Sequence, residues 1–271
     1  MPEPRVSEAE IAAYERDGAV CLRGALAPAW IELLDRGVER NIARPGPWFT
    51  DFTGADGGAR CIKDDFCWTW IPEYEDFARR SPCAALVGEL MRAREVCFIE
   101  DQYFQKAAGA ATPTPWHQDQ SYYEVAGDWC VAWVPLNPVA AEDSLRFVAG
   151  SHRGPLYLPQ DFTGGGGGPH ITPPGPAPPP PPAAAGEPGR WPILAWAMQP
   201  GDLLVFHPRT LHANAGNRAP HRSRRLSLRW VAESARYVRK PLPWDGREVV
   251  NAIDKMPIAR AESLEKNPAG R

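Results

Sequence analysis

Thr114-Pro115-Trp116-His117-Gln118-Asp119-Gln120 is the stretch on which the reading of this chain turns. In an extended strand, residues two apart point to the same face. His117 and Asp119 therefore offer an imidazole nitrogen and a carboxylate oxygen to one side, as two ligands to a single ion would. A third ligand has to arrive from a distant part of the chain, which demands a fold that lays remote strands side by side.

The later segment Gly201–His212 supplies a candidate. Gly201-Asp202 reads as a turn feeding the apolar strand Leu203–Phe206, and His212 stands at the start of the next stretch. Other β-forming runs are Val96–Gln105, Trp129–Leu136 (with Val131 and Trp133 on one face), Leu145–Val148, Ile193–Met198 and Leu226–Val231. Ahead of them the pattern is helical. Ser7 and Glu10 form a capping box, Ile11 and Tyr14 share a face, and Gly18 stops the helix. Ala19–Leu22 reads as a short strand, and a second helix runs from Pro28 through Ile31, Leu34 and Val38 toward Pro45. Residues 44–80 read as irregular and aromatic-rich, and a third helix is expected over Pro82–Arg92. Helices first and short strands after predict a mainly β barrel flanked by N-terminal helices. The chain shows neither strand–helix alternation nor a solenoid repeat.

The 271 residues fit one domain, with 44% hydrophobic residues for a core. A formal charge of −3 argues against nucleic acid as the main partner, because a phosphate footprint needs a basic excess. No apolar run is long enough to span a membrane and Met1–Ser7 is too polar for a signal peptide, so a cytoplasmic location is expected. Six cysteines without a CxxC pair fit a reducing compartment. Residues 164–189 hold five consecutive glycines and five consecutive prolines, and are expected to form a mobile loop between strands, either a tolerated insertion or a lid.

Two histidines and one carboxylate occupy one face of an octahedron and leave positions open, the arrangement of non-haem Fe(II) oxygenases. His207 is the competitor to His212 as the distal ligand, while His152 reads as structural. Arg222, Arg224 and Arg225 follow on the strand toward Trp230. Arginine grips a carboxylate with two parallel hydrogen bonds and so suits the far end of a dicarboxylate, although such a cluster also suits a solvated face. Trp116, Tyr122, Tyr123 and Trp129 read as core packing or as an aromatic substrate pocket over which Trp68 and Trp70 could close.

Lys106–Gly109, Pro115–Gln120, Trp133–Asn137, Ser144–Arg153 and Gly201–Trp230 together resemble the phytanoyl-CoA dioxygenase family of iron- and 2-oxoglutarate-dependent oxygenases. The resemblance implies a double-stranded β-helix, or jelly roll, with helices packed around it. It implies iron on His117, Asp119 and His212, and a cosubstrate pocket lined by Lys106, Thr114 and Trp133. The family places its cosubstrate arginine eleven residues after the distal histidine, where this chain has Ser223. Arg225, two residues on and in the same strand phase, is the expected replacement, with Arg224 and Arg222 as alternatives. The implied reaction consumes O2 and 2-oxoglutarate, yields succinate and CO2, and oxidises, typically hydroxylates, a small organic substrate. Related halogenases carry a small residue in place of the carboxylate, so Asp119 favours oxygenation. A cupin-like isomerase or hydrolase that uses no 2-oxoglutarate, and a non-catalytic binding protein on the same barrel, are the alternative readings.

Overall fold

A computed structural model describes residues 5–51, 53, 59–110, 113–159 and 192–238, together with the backbone of 243–244, 247–248 and 267–268. The expected loop at 164–189 lies outside the described residues. The first half of the chain forms α1 (Glu8–Asp17), β1 (Ala19–Leu22), α2 (Pro28–Ala43), β2 (Thr50–Asp51), β3 (Cys61–Asp65), α3 (Pro72–Arg80), α4 (Cys83–Leu90), β4 (Glu95–Lys106) and β5 (Thr114–His117). The second half forms β6 (Val125–Ala126), β7 (Trp129–Pro135), β8 (Leu145–Val148), β9 (Ile193–Leu194), β10 (Leu203–Phe206), β11 (His212–Asn214) and β12 (Ser223–Ala232).

The strands make two antiparallel sheets. The larger has the order β1-β10-β7-β12-β4-β3-β2, and the smaller β5-β11-β8-β9. Sequence neighbours such as β4 and β5 fall in different sheets, the crossing pattern of the expected double-stranded β-helix. Alternation sorts the residues of the large sheet between two layers. Cys130, Ala132 and Val134 of β7, Leu203 and Val205 of β10, and Leu226, Leu228 and Trp230 of β12 pack with Ile11, Leu34, Val38, Phe77 and Leu86 of the helices. Trp129, Val131, Trp133, Leu204 and Phe206 face the other way, toward Leu145 and Phe147 of the small sheet.

The helices start and stop for local reasons. Ser7 and Glu10 close the expected capping box on α1, and Pro28 opens α2. The expectation of irregular structure over 44–80 is corrected at two places. Pro72–Arg80 is helical, with Pro at its start, Tyr74, Phe77 and Ala78 buried at helical spacing, and acids and bases at the favourable ends. Cys61–Asp65 is a strand paired to β4, its polar letters hiding a mostly buried segment, with Ile62 in the helix-side core and Asp64 bonded to Asn41 of α2. The helix expected over Pro82–Arg92 is shorter, Cys83–Leu90, because Arg92 adopts a φ of 50°. The strand expected over Ile193–Met198 pairs only at Ile193–Leu194, with Met198 in an isolated bridge to Val139.

One irregularity sets the barrel interior. The register of β12 on β4 shifts between Arg229 and Trp230, which pair with Glu100 and Phe98 and leave Ile99 between. Val96 and Phe98 face the helices, as do Tyr103 and Leu226 beyond the shift. Without the extra residue Glu100 would follow Phe98 onto the helix side; the bulge turns it inward.

Gly18 joins helix, sheet and interior. It caps α1 at a φ of 79°, and its carbonyl accepts hydrogen bonds from the His207 amide at 2.9 Å and the Thr210 hydroxyl at 2.8 Å. A Cβ there would lie 2.4 Å from both His152 Nδ1 and Thr210 Oγ1. Left-handed strain and overpacking each contribute about 1–2 kcal/mol, so Gly18→Ala is expected to lower stability by about 2–4 kcal/mol in denaturant unfolding.

Candidate metal centre and the buried charges beside it

His117 and His212 are direct cross-strand partners on β5 and β11. Their rings lie 4.1 Å apart between centroids, and both side chains point between the sheets. Gln118 keeps extended dihedrals, and Asp119 opens a short 3-10 turn, so Asp119 returns to the face of His117 although the strand itself ends there. The turn is clamped. Gln118 Nε2 donates to the carbonyls of Pro155 at 3.1 Å and Arg209 at 2.7 Å, while its Oε1 accepts from the Tyr157 amide at 2.8 Å.

Asp119 Oδ1 stands 3.4 Å from His117 Nε2 and 3.5 Å from His212 Nε2. Three atoms bound at about 2.1 Å to one ion, at angles near or somewhat above 90°, are separated by about 3.0–3.5 Å. The ligand atoms of these three buried residues all lie within 4.8 Å of one another, a set that could hold a metal ion. Each histidine has its other nitrogen against a carbonyl, Nδ1 of His117 to Pro115 at 2.8 Å and Nδ1 of His212 to Thr210 at 2.9 Å. Nδ1–H donating there fixes the tautomer that frees Nε2 for a metal. Burial, reinforced by His117, pushes the His212 pKa down to about 3, so its imidazole is neutral. Burial alone would raise the Asp119 carboxyl, but the groups that face it, His117 first and the Arg229 guanidinium with it, hold it well below the usual range. The donor set fits a divalent metal of the iron type.

A second group of charges lies further along the same interior. Ser223, Arg225, Ser227 and Arg229 occupy one face of β12, opposite to Leu226, Leu228 and Trp230. Arg225 is buried over the Trp133 ring at 4.8 Å, and its Nη2 donates to the Ser223 hydroxyl. No ion pair joins Arg225 to an acid among the described residues, and its Nε has no hydrogen-bond partner there. Lys106, at the end of β4, donates from Nζ to Asn214 Oδ1 at 2.9 Å. Asn214 pairs in register with Thr114. Burial and the proximity of Arg225 push the Lys106 pKa down to about 8, and burial pulls Arg225 to about 10. The residues expected to line a cosubstrate pocket, Lys106, Thr114, Trp133 and Arg225, thus gather on one side of the triad.

The competitors are elsewhere. Arg224 faces the helices, with Nη1 2.7 Å from Glu39 and Nε 3.0 Å from Gln105, and Arg222 is exposed. His207 packs against His152 at 5.3 Å, accepts from the Arg209 amide through Nδ1, and is not among the grouped ligands. Trp68 does not close over the site; it packs edge-on against Phe98 in the helix-side core, and Trp70 lies against Gly46. Tyr123 and Trp129 pack together in the inner core, whereas Tyr122 sits edge-on to His117 at 6.1 Å and Trp116 covers Arg146. Sequence reasoning missed Arg229, Glu100 and Asn214. The available signal for Arg229 was an arginine inside the apolar alternation Leu226-Ser227-Leu228-Arg229-Trp230.

Among solved structures, the chain is similar to the epimerase SnoN of nogalamycin biosynthesis, crystallised with Fe3+, alpha ketoglutarate and nogalamycin RO. The TM-score is 0.68 at 22% identity, over 86% of each chain. It is similar to the carbocyclase SnoK of the same biosynthesis, with a TM-score of 0.68 at 17% identity over 86% of this chain and 87% of that one. EctD from S. alaskensis, with 2-oxoglutarate and 5-hydroxyectoine, gives a TM-score of 0.63 at 18% identity over 84% and 76%. At these identities the likeness is one of fold. No curated protein matches the chain significantly in sequence. The profile described as Phytanoyl-CoA dioxygenase (PhyH) matches residues 14–226, which take in β1, the whole triad and the interior face of β12 as far as Arg225, and the chain therefore belongs to the phytanoyl-CoA dioxygenase family.

Proposed function

We propose that His117, Asp119 and His212 hold the Fe(II) with which this enzyme, a 2-oxoglutarate-dependent dioxygenase, oxidises a small organic substrate, and that Arg225 and Lys106 hold the far carboxylate of 2-oxoglutarate. The observation that carries the second part is two buried cations beside the triad, of which Arg225 makes no ion pair with an acid among the described residues and has Asp143 only at longer range. Buried charge is costly unless compensated, so such a pair calls for an anionic ligand. A metal enzyme using no dicarboxylate would have no use for it.

Arg225 also accounts for the serine in the family's arginine position. Its guanidinium donates to the Ser223 hydroxyl, so the side chain runs back along β12 and brings its charge to the place of residue 223. The Trp133 ring lies beneath it and Asn214 holds Lys106, leaving both cations little freedom. With iron and O2 bound, 2-oxoglutarate supplies two electrons and leaves as succinate and CO2, one oxygen atom entering succinate and the other serving the substrate. The residues described here orient the cosubstrate, exclude water and keep His212 neutral.

The substrate is proposed to be a small molecule and the outcome hydroxylation. SnoN bound to nogalamycin RO, SnoK of the same biosynthesis and EctD bound to 5-hydroxyectoine support a small-molecule substrate of this kind. No helix among the described residues is long and apolar enough to cross a membrane. All six cysteines are free and five are buried, which supports the cytoplasm as its compartment and the whole chain acting as one domain without disulfides.

Anaerobic addition of Fe(II) and 2-oxoglutarate is expected to give a visible charge-transfer band, and substrate turnover to release succinate. His212→Ala should abolish both, and a wild-type protein that binds iron without the band would refute the cosubstrate assignment. In titrations of that band, Arg225→Gln should weaken 2-oxoglutarate about 50- to 100-fold, the loss of about 2.5 kcal/mol of charge-assisted hydrogen bonding. Arg224→Gln, on the other face of the sheet, should leave the affinity unchanged. Lys106 contributes only while protonated. Affinity should therefore hold below pH 8 and fall as pH rises through about 8, and Lys106→Met should lose that dependence.

A further inference from the structure

Asp119 has two oxygens, and only Oδ1 faces the two histidine Nε2 atoms. Oδ2 lies 3.3 Å from Nη2 of Arg229, a fully interior guanidinium on β12. Arg229 is itself held. Its Nη1 donates to the carbonyl of Ser227 at 3.0 Å, and its Cζ lies 5.5 Å from the centre of the Tyr123 ring. Across the strand pair stands Glu100, turned inward by the bulge at Ile99. Glu100 accepts from the Tyr123 hydroxyl at 2.6 Å through Oε2 and from Gln102 Nε2 at 3.0 Å through Oε1. Asp119, Arg229, Tyr123, Glu100 and Gln102 are all buried.

We propose that Arg229, its charge offset by Glu100 across the strand pair, is a positioning residue for the metal centre: it engages Asp119 Oδ2 so that the carboxylate binds iron through Oδ1 alone. The inference rests on the iron reading above and adds to it a device outside the ligand set. A carboxylate free to rotate can chelate through both oxygens and take up a position that cosubstrate or O2 requires. An arginine locked on one oxygen prevents that. The cation would by itself weaken metal binding through repulsion, and Glu100, its partner across the strand pair, offsets its charge. Geometry and charge thus oppose each other at Arg229, which makes the sign of a mutational effect informative. If Arg229 acted through charge alone, its removal would tighten metal binding; if it positions Asp119, removal loosens it.

The test uses the full-length protein and Co(II), whose visible spectrum reports its ligand set without turnover. Arg229→Gln alone leaves Glu100 buried and uncompensated, which threatens folding, so it is paired with the charge-neutral double variant Arg229→Gln/Glu100→Gln. Circular dichroism and thermal melting establish that the double variant is folded. It is expected to bind Co(II) about tenfold more weakly than wild type, with an altered visible spectrum, the size typical of losing a partner behind a metal ligand. Arg229→Lys, which retains one charged donor, should recover part of both. A folded double variant with wild-type affinity and spectrum, or tighter binding in Arg229→Gln, overturns the proposal. Failure of wild type to bind Co(II) or Fe(II) would instead overturn the metal assignment itself.

Discussion

The pairing of His117 with His212 across β5 and β11 is the constraint on which the rest depends. Side chains directly opposite each other in an antiparallel pair have Cβ atoms about 5 Å apart, and a shared ion needs its ligand atoms closer still. The register brings together two imidazoles that are ninety-five positions apart in the chain. A slip of one residue would turn one of them out of the barrel. Everything that fixes this register, from Phe147 beside His212 to the clamp on Gln118, therefore acts on the metal centre.

Around that pair, the large sheet separates two kinds of chemistry by alternation. One face of β12 is apolar and seals the helices onto the barrel, and the other carries Ser223, Arg225, Ser227 and Arg229 inward. The same strand thus supplies core packing and the cations of the site. On β4 a single extra residue does comparable work, since it changes which side chains face inward halfway along. Glu100 and Gln102 then lie inside with Arg229, while Asp101 points to the helix side and accepts from the Trp68 amide. A bulge near a functional centre is a common way to re-aim a side chain without breaking a sheet.

So many buried charges need an explanation. Arg229 has acids at hand in Asp119 and Glu100. Burial pulls its pKa down, yet Tyr123, Glu100 and Asp119 more than compensate, and it stays charged. Arg225 and Lys106 differ, for burial lowers both and no acid of the described residues forms an ion pair with Arg225. The contrast between a cation ion-paired to an acid and one without such a pair, on one strand, separates the part of the interior beside Asp119 from the part proposed to hold the cosubstrate.

The His117/Asp119 pair, the order of helices and strands, and the caps on α1 and α2 were legible in the sequence, because each rests on local periodicity or on residue chemistry at short spacing, whereas His212 as the distal ligand and Arg225 as the favoured arginine rested on the family resemblance. Residues 61–80 were misread since β3 is polar on a buried face and α3 is short and aromatic, so their periodicity is masked until β4 and α2 lie beside them. The alternation Leu226-Ser227-Leu228-Arg229-Trp230 marks Arg229 as facing away from the helices, but its partners belonged to the tertiary structure alone. They depend on an inter-strand register and on one bulged residue, and nothing in the letters of β4 marks the bulge that turns Glu100 inward. The residue types thus determined that a His, Asp, His set existed, whereas the pairing of distant strands decided what stood behind each ligand.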